Sequence, residues 1–157
     1  MSAHALTFIC GDDDFLVGQE GRALFEEKTR DIADDFSKET LEASAQNVGE
    51  VEAVVNRLRD AAQTLSMFGD KKVVWLKDVN FLADTVTGRA EGTKQLVEDM
   101  QQVLSTLDPA AVEVIVTAFP VDRRRKEFKW FQSHGDFRDL KGAGDEDSLI
   151  ALVRSRA

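Results

Sequence analysis

Acidic residues follow the first predicted strand of this chain, and another aspartate follows the third. Asp12 and Asp13 follow the strand Leu6–Cys10 after a single glycine, and Asp78 lies two residues beyond Leu76. Parallel strands end at one edge of their sheet, where ligands of open α/β folds bind. Carboxylates gathered there have the chemistry to hold Mg²⁺ beside a group that accepts phosphate.

Two further residues extend this hypothesis. Thr117 ends the fourth predicted strand and Lys141 follows the fifth. In phospho-acceptor receiver domains, a hydroxyl and a lysine contact the phosphoryl group that an aspartate carries. The spacing agrees less well, because Lys141 is followed by glycine and the stretch from the first to the third strand is long. A receiver-type signalling domain, with Mg²⁺ on Asp12 and Asp13 and phosphate on Asp78, is our alternative function.

No phosphate-binding loop follows the first strand. Such a loop needs glycines that expose backbone N–H groups and a lysine that neutralises phosphate. Here Gly11–Asp14 would cap a helix and repel phosphate, and no Gly-Lys-Ser/Thr occurs anywhere. His4 and His134 are isolated, and neither Ser66 nor Cys10 has His and Asp partners in a triad order. We predict no catalytic, nucleotide or metal site and no cofactor.

A glutamine and two large apolar residues stand at the end of the second predicted helix, which runs from about Asn47 to Ser66. Its core-facing stripe consists of Val51, Val54, Val55, Leu58, Ala62 and Leu65. At about 100° per residue, Met67 falls opposite this stripe on the face of Gln63, and Phe68 lies on the flank. This pattern predicts a docking peptide, whereas the alternative makes Phe68 the last residue of the core stripe.

Four cations open the fifth predicted helix, which spans about Asp122 to His134. The run consists of Arg123, Arg124, Arg125 and Lys126. Cations in a first helical turn oppose the helix dipole. The run is therefore either a solvated face or a contact for an anion or an acidic subunit. Trp130 is predicted to lie on the flank of this helix, because it cannot share one core with Phe128 and Phe131.

Strands alternate with helices along the chain. The predicted strands are Leu6–Cys10, one between Phe36 and Ala45, Lys72–Leu76, Glu113–Phe119 and Asp136–Leu140. The first helix, from about Asp13 to Ile32, carries Phe15, Leu16, Leu24 and Phe25, and a polar loop is expected from Asp84 to Gly92. This order predicts an α/β fold, a three-layer sandwich with a five-stranded parallel sheet and helices on both faces.

The composition is that of one globular domain. The 157 residues have a net charge of −9, which argues against a broad grip on a nucleic-acid backbone. No apolar run approaches the roughly 20 residues that cross a bilayer. No signal peptide is evident, and Cys10 is the one cysteine. These features predict a cytosolic protein.

Three stretches together resemble the delta subunit of the bacterial DNA polymerase III clamp loader. They are Cys10–Leu16, Gln63–Leu76, and the fourth strand with Asp122–Lys126. The resemblance implies a P-loop NTPase fold of the AAA type that lacks the nucleotide-binding motifs. It also implies a role in binding and opening the sliding clamp during DNA replication. It assigns clamp binding to Gln63, Ser66, Met67 and Phe68, where Met67 replaces the usual leucine.

The same resemblance implies a domain organisation and partners. Residues 1–143 would form the AAA-like clamp-binding domain, and residues 144–157, with a helix from Asp145, would begin a lid domain. The partners would be the sliding clamp and other clamp-loader subunits of the polymerase holoenzyme. DNA would be contacted weakly or indirectly, no membrane would be bound, and the chain itself would be monomeric. An unrelated α/β interaction domain is a third possibility.

Overall fold

The computed structural model describes residues 5–63 and 71–140, which form a parallel sheet with helices on both faces. Its strands are β1 (Leu6–Gly11), β2 (Lys38–Glu42), β3 (Lys72–Val79), β4 (Val112–Ala118) and β5 (Asp136–Leu140). Its helices are α1 (Asp14–Thr29), α2 (Val48–Gln63), α3 (Val86–Arg89), α4 (Glu91–Ser105) and α5 (Lys126–His134). A 3₁₀ turn, Asp35–Ser37, precedes β2. The strand order is β2-β3-β4-β1-β5.

The three central strands are nearly continuous apolar runs because both of their faces are covered. All pairings are parallel, with Leu6 opposite Val114 and Val74 opposite the same residue from the other side. β2 and β5 are the outermost strands of the sheet and are more polar. The predicted five-stranded parallel sheet and its three layers are confirmed.

Two apolar clusters lie on opposite faces of the sheet. On one face, Val17 and Leu24 of α1 pack near Trp75. On the other face, α2, α4 and α5 cover a larger core. An aromatic stack joins α5 to β1 there, with the ring centroids of Phe8 and Phe131 4.4 Å apart.

α1 lies close to the sheet because Gly21 has no side chain. A Cβ on Gly21 would collide with Cγ2 of Thr117 and would lie 3.0 Å from Cζ2 of Trp75. The Trp75 indole N–H donates to Thr117 Oγ1 at 3.1 Å, so the two side chains form one buried unit. α1 therefore packs directly against the Thr117 and Trp75 side chains at Gly21.

Phe15, in the first turn of α1, is 72% exposed. Two details of the sequence-based prediction are wrong. In α2 it is Ala61, at a three-residue step from Leu58, that is buried in place of Ala62. The expected loop from Asp84 to Gly92 contains α3 and the start of α4, and Thr85 caps α3 by accepting the Gly88 N–H at 2.9 Å.

The prediction for the aromatic residues of α5 is confirmed. Phe128 and Phe131 are wholly buried, whereas Trp130 lies on the flank. Its ring stacks on His134 with a centroid distance of 4.2 Å and meets Phe131 edge-on. The flank position follows from the helical period, since residues 128 and 131 share one face.

Candidate protein-interaction site

The parallel sheet separates the predicted sites onto two edges. We call the side where the strands end the carboxyl edge; it includes Asp12, Asp13 and Asp78. The side where the strands begin is the amino edge, where the chain enters β3 at Lys72. The segment from Gln63 to Phe68 immediately precedes that entry. The acidic cluster therefore lies at the carboxyl edge, whereas the described residues that flank the predicted docking peptide, Gln63 and Lys72, lie at the amino edge.

The connection from β1 to α1 is too short to hold phosphate. Only Asp12 and Asp13 separate the two elements. A carboxylate oxygen of Asp13 accepts the N–H groups of Phe15 at 2.8 Å and Leu16 at 3.3 Å. Free N–H groups at a helix start are what an anion would need, and here the chain's own carboxylate uses two of them. The described residues form no phosphate-binding loop at this position.

Arg123 closes the same region from the side of β5. Its guanidinium donates two bonds to the Asp139 carboxylate, at 2.8 and 3.0 Å, and lies 3.2 Å from Asp12. These hydrogen bonds raise the pKa of the already basic guanidinium further. Backbone packing is equally tight, because a Cβ on Gly11 would collide with the carbonyl oxygen of Leu140. The edge is held together by internal pairs.

Cys10 is not a nucleophile in this environment. Burial, followed by the nearby Asp139 carboxylate, raises the pKa of the Cys10 thiol to about 12. The thiol is wholly buried and stays protonated at neutral pH, whereas nucleophilic cysteines need thiolate character and access.

The run of four cations divides into inward and outward side chains. α5 begins at Lys126, so the prediction that all four lie in its first turn is wrong; Arg123 to Arg125 form the turn before it. Arg125 donates to the carbonyl oxygens of Ala83 and Gly88, at 2.7 and 2.6 Å, and pairs with Glu127. Arg123 and Arg125 therefore have structural partners.

Arg124 and Lys126 point outward. The Arg124 side chain is 83% exposed and pairs with Asp122 at 3.0 Å, and its hydrogen bonds lower the pKa of the Asp122 carboxyl. The Lys126 side chain is 78% exposed and lies 3.6 Å from Glu98. Of the four cations, these two are the most exposed.

The described residues do not build a receiver-type site. Receiver domains have the order 2-1-3-4-5, with the first and third strands adjacent, whereas β4 lies between β1 and β3 here. Asp12 is paired with Arg123 on the side of β5. Asp78 sits at a bulge with φ 64°, and burial, then repulsion by Asp14, raises the pKa of its carboxyl.

The other two residues of the receiver hypothesis, Thr117 and Lys141, do not change this result. Oγ1 of Thr117 already accepts the Trp75 indole N–H and the Asp78 backbone N–H, the latter at 3.2 Å. Lys141 lies outside the described residues. Within 5–63 and 71–140, no group of three or more metal-binding side chains occurs.

The docking prediction is only partly covered by the structure. Gln63, the last residue of α2, is exposed. Ser66, Met67 and Phe68 lie outside the described residues, as do the domain boundary at 143 and the helix expected from Asp145. After the segment, the chain is anchored again at Lys72, whose backbone N–H donates to Ala111 at 2.9 Å.

The entry to β3 is also held by charge pairs. The ammonium group of Lys72 lies 3.3 Å from Glu39 of β2, although its side chain is 5% exposed. Lys71 and Lys28 both approach Glu113 at the start of β4, at 3.8 and 3.3 Å. The chain before the segment is fixed by α2, and the chain after it is fixed by these charge pairs.

Sequence analysis missed an exposed aromatic residue at this edge. Phe36, in the 3₁₀ turn before β2, is 78% exposed. The signal that could have found it is local: Asp34, Asp35 and Ser37 surround it, so it belongs to no apolar stripe.

None of the helices in the described part of the chain is both long and apolar enough to span a bilayer.

A family model for the delta subunit of DNA polymerase III matches residues 8–137. The chain belongs to this family. The match runs from β1 into β5 and includes both flanks of the Gln63 to Phe68 segment. The possibility of an unrelated α/β interaction domain is thereby removed.

Among solved structures, this delta-family chain resembles the DNA clamp loader delta protein of Bacillus subtilis. The TM-score is 0.55 and the sequence identity 17%, over 88% of this chain and 39% of that chain. The chain thus spans less than half the length of that relative. The likeness shows the fold, an AAA-like α/β domain. No curated protein matches the chain.

Proposed function

We propose that this chain is a non-catalytic part of a DNA polymerase III clamp loader that binds the sliding clamp and helps to open it during replication. The family match over residues 8–137 carries the proposal. The name of the Bacillus subtilis relative, a clamp loader delta protein, supports it. A nucleotide-independent role agrees with the two-residue connection between β1 and α1, in which Asp13 occupies the helix start.

The clamp-binding residues in this proposal are Gln63, Ser66, Met67 and Phe68. Met67 and Phe68 would enter an apolar pocket of the clamp, while Gln63 would hydrogen-bond at its rim. Burying one such apolar side chain is worth roughly 1.5–3 kcal/mol. The pair would then supply about 3–6 kcal/mol, on the order of 10²- to 10⁴-fold in affinity. A few buried anchors commonly dominate such an interface.

The other clamp-loader subunits are the second class of proposed partner. Arg124 and Lys126 are the candidates for contact with a sister subunit or with DNA. Each already has a carboxylate partner, and the chain has a net charge of −9. Strong binding to DNA would need more uncompensated cations, so a contact with a subunit is the better match.

Substitution of the two apolar residues tests the proposed site. We expect Met67→Ala/Phe68→Ala to bind the clamp of the same organism at least about tenfold more weakly, since two buried anchors are lost. Binding is measured by titration of the intact protein with labelled clamp. Phe15→Ala is a matched control, because Phe15 is an exposed aromatic residue at the opposite edge.

Thermal denaturation of the same variants separates docking from a core role. The double variant should keep the wild-type Tm if the two side chains serve to bind the clamp and do not pack in the core. Unchanged clamp binding, or outright unfolding of the double variant, would refute the assignment of the site.

A further inference from the structure

We propose that Phe36 is a second apolar anchor for the sliding clamp, on the amino edge where the chain enters β3 at Lys72. This inference rests on the proposed function. Phe36 is 78% exposed and lies in the 3₁₀ turn Asp35–Ser37, which contacts both β2 and β3. Single exposed apolar residues are common, so the proposal depends on where this one lies and how it is held.

Phe36 lies at the amino edge, close to the point where the chain enters β3 at Lys72. Lys38, two residues after it, pairs with Val73 of β3, and Glu39 pairs with the ammonium group of Lys72. Adjacent strands are about 4.8 Å apart. Phe36 is therefore only a few residues' span from the point where the segment ends and β3 begins.

The backbone around Phe36 is fixed before any partner binds. The Asp34 carboxylate accepts the Phe36 N–H at 3.0 Å and the Ser37 hydroxyl at 2.7 Å. Ser37 is wholly buried, and the Lys38 ammonium donates to the carbonyl oxygen of Ile32 at 3.3 Å. An aromatic ring on a pre-ordered turn loses little conformational entropy on binding, which favours affinity.

The size of protein interfaces favours one shared partner. A stable interface covers about 800 Å² on each side and involves roughly 20–30 residues. Two or three side chains of a peptide cover only part of that area, so a clamp seated there would also meet neighbouring features of the amino edge. Aromatic residues are enriched among energetically dominant contacts, and Phe36 is the exposed aromatic residue of this edge within the described chain.

The path of the chain argues for a separate molecule as the occupant. β5 ends at Leu140 on the carboxyl edge, so the described chain ends on the side remote from Phe36. Phe15, Val48 and Val86 are the exposed large apolar residues found on that side among the described residues.

Clamp titration of matched variants of the intact protein tests the inference. We expect Phe36→Ala to weaken binding by about tenfold, and Phe36→Leu, which keeps an apolar surface, to weaken it less. Phe15→Ala should bind as the wild type does, because Phe15 is similarly exposed but lies at the carboxyl edge. Met67→Ala/Phe68→Ala reports on the proposed function. The Tm of Phe36→Ala should not fall, since the removed ring is largely in water.

Each outcome has one meaning. Wild-type binding by Phe36→Ala, together with weak binding by Met67→Ala/Phe68→Ala, would overturn the inference and leave the proposed function standing. Wild-type binding by both would overturn both. An equal loss in Phe15→Ala would show that the effect does not belong to the amino edge, and would also overturn the inference. If Phe36→Ala lowers the Tm, Phe36→Leu serves as the test variant in its place. Wild-type clamp binding by Phe36→Leu would then overturn the inference.

Discussion

At the residue scale, two glycines of α1 stand in opposite environments. A Cβ on Gly21 would collide with Thr117 and press on Trp75, whereas a Cβ on Gly18 would meet no atom within 4 Å. The helical period places the two residues on neighbouring parts of one helix, yet only Gly21 faces the sheet. Its role is to let α1 approach the strands.

These two positions form a matched pair of substitutions. We expect Gly21→Ala to lower the free energy of unfolding by about 1–3 kcal/mol, because the added methyl group overpacks a rigid contact. Gly18→Ala should raise it by up to about 1 kcal/mol, since alanine is the better helix former. Urea denaturation measures both values. Equal effects at the two positions would contradict the packing that we describe for Gly21.

At the element scale, the turn before α5 is held by one arginine. Arg125 reaches two carbonyl oxygens, of Ala83 and Gly88, and the carboxylate of Glu127, which is 5% exposed. It thereby joins the starts of α3 and α5. Arg124, its neighbour, contacts only Asp122 among the described residues and projects into water.

Neutral substitutions of these two arginines should separate the roles. Arg125→Met leaves the Glu127 carboxylate buried without its partner, so we expect a loss of about 3 kcal/mol in unfolding free energy. Arg124→Met removes an exposed, solvent-screened pair and should leave the free energy of unfolding close to the wild-type value. Chemical denaturation at pH 7 gives both numbers. A large loss in Arg124→Met with none in Arg125→Met would reverse our assignment.

Sequence reasoning located these elements better than it located their side chains. The apolar runs that became β1, β3 and β4 are unambiguous because buried parallel strands need them. The short helix α3 was missed because four residues contain too little periodicity to detect. Whether each cation from Arg123 to Lys126 points inward or outward depends on contacts with Asp139, Glu127 and Ala83. No periodicity of the sequence indicates those contacts.

At the scale of the whole molecule, strand order distinguishes the candidate functions. The order β2-β3-β4-β1-β5 separates the strands that a receiver domain keeps adjacent, and it belongs to the AAA-like fold of the delta family. The carboxyl edge, where such folds bind nucleotides, is occupied here by Asp13 at the helix start and by the pairing of Arg123 with Asp12 and Asp139.

Ligand titrations test this description of the carboxyl edge. We expect neither Mg²⁺-ATP nor Mg²⁺ with beryllofluoride to raise the Tm, because a ligand stabilises a fold only when the folded state binds it. Differential scanning calorimetry provides the measurement. A saturable increase with beryllofluoride that disappears in Asp78→Asn would instead support the receiver alternative.

The sequence alone determined the class of fold and the absence of a phosphate-binding motif. Both depend on local patterns: apolar runs between helices, and the residues that follow β1. The resemblance based on Cys10–Leu16 and Gln63–Leu76 likewise identified the family. These properties can be recognised from the sequence because each depends on residues that are close together in the chain.

Only the tertiary structure decided which side chains are inside and which are available. The local sequence sets Phe36 outside every apolar stripe, but the exposure of Phe36 and of Phe15 depends on how the 3₁₀ turn and α1 pack on the sheet. Arg123 and Arg125 are as charged as Arg124, but each has a partner far away in sequence: Asp139, 16 residues from Arg123, and Ala83, 42 residues from Arg125. Burial depends on distant neighbours that the fold brings together, and for that reason the exposed amino edge became evident only from the coordinates.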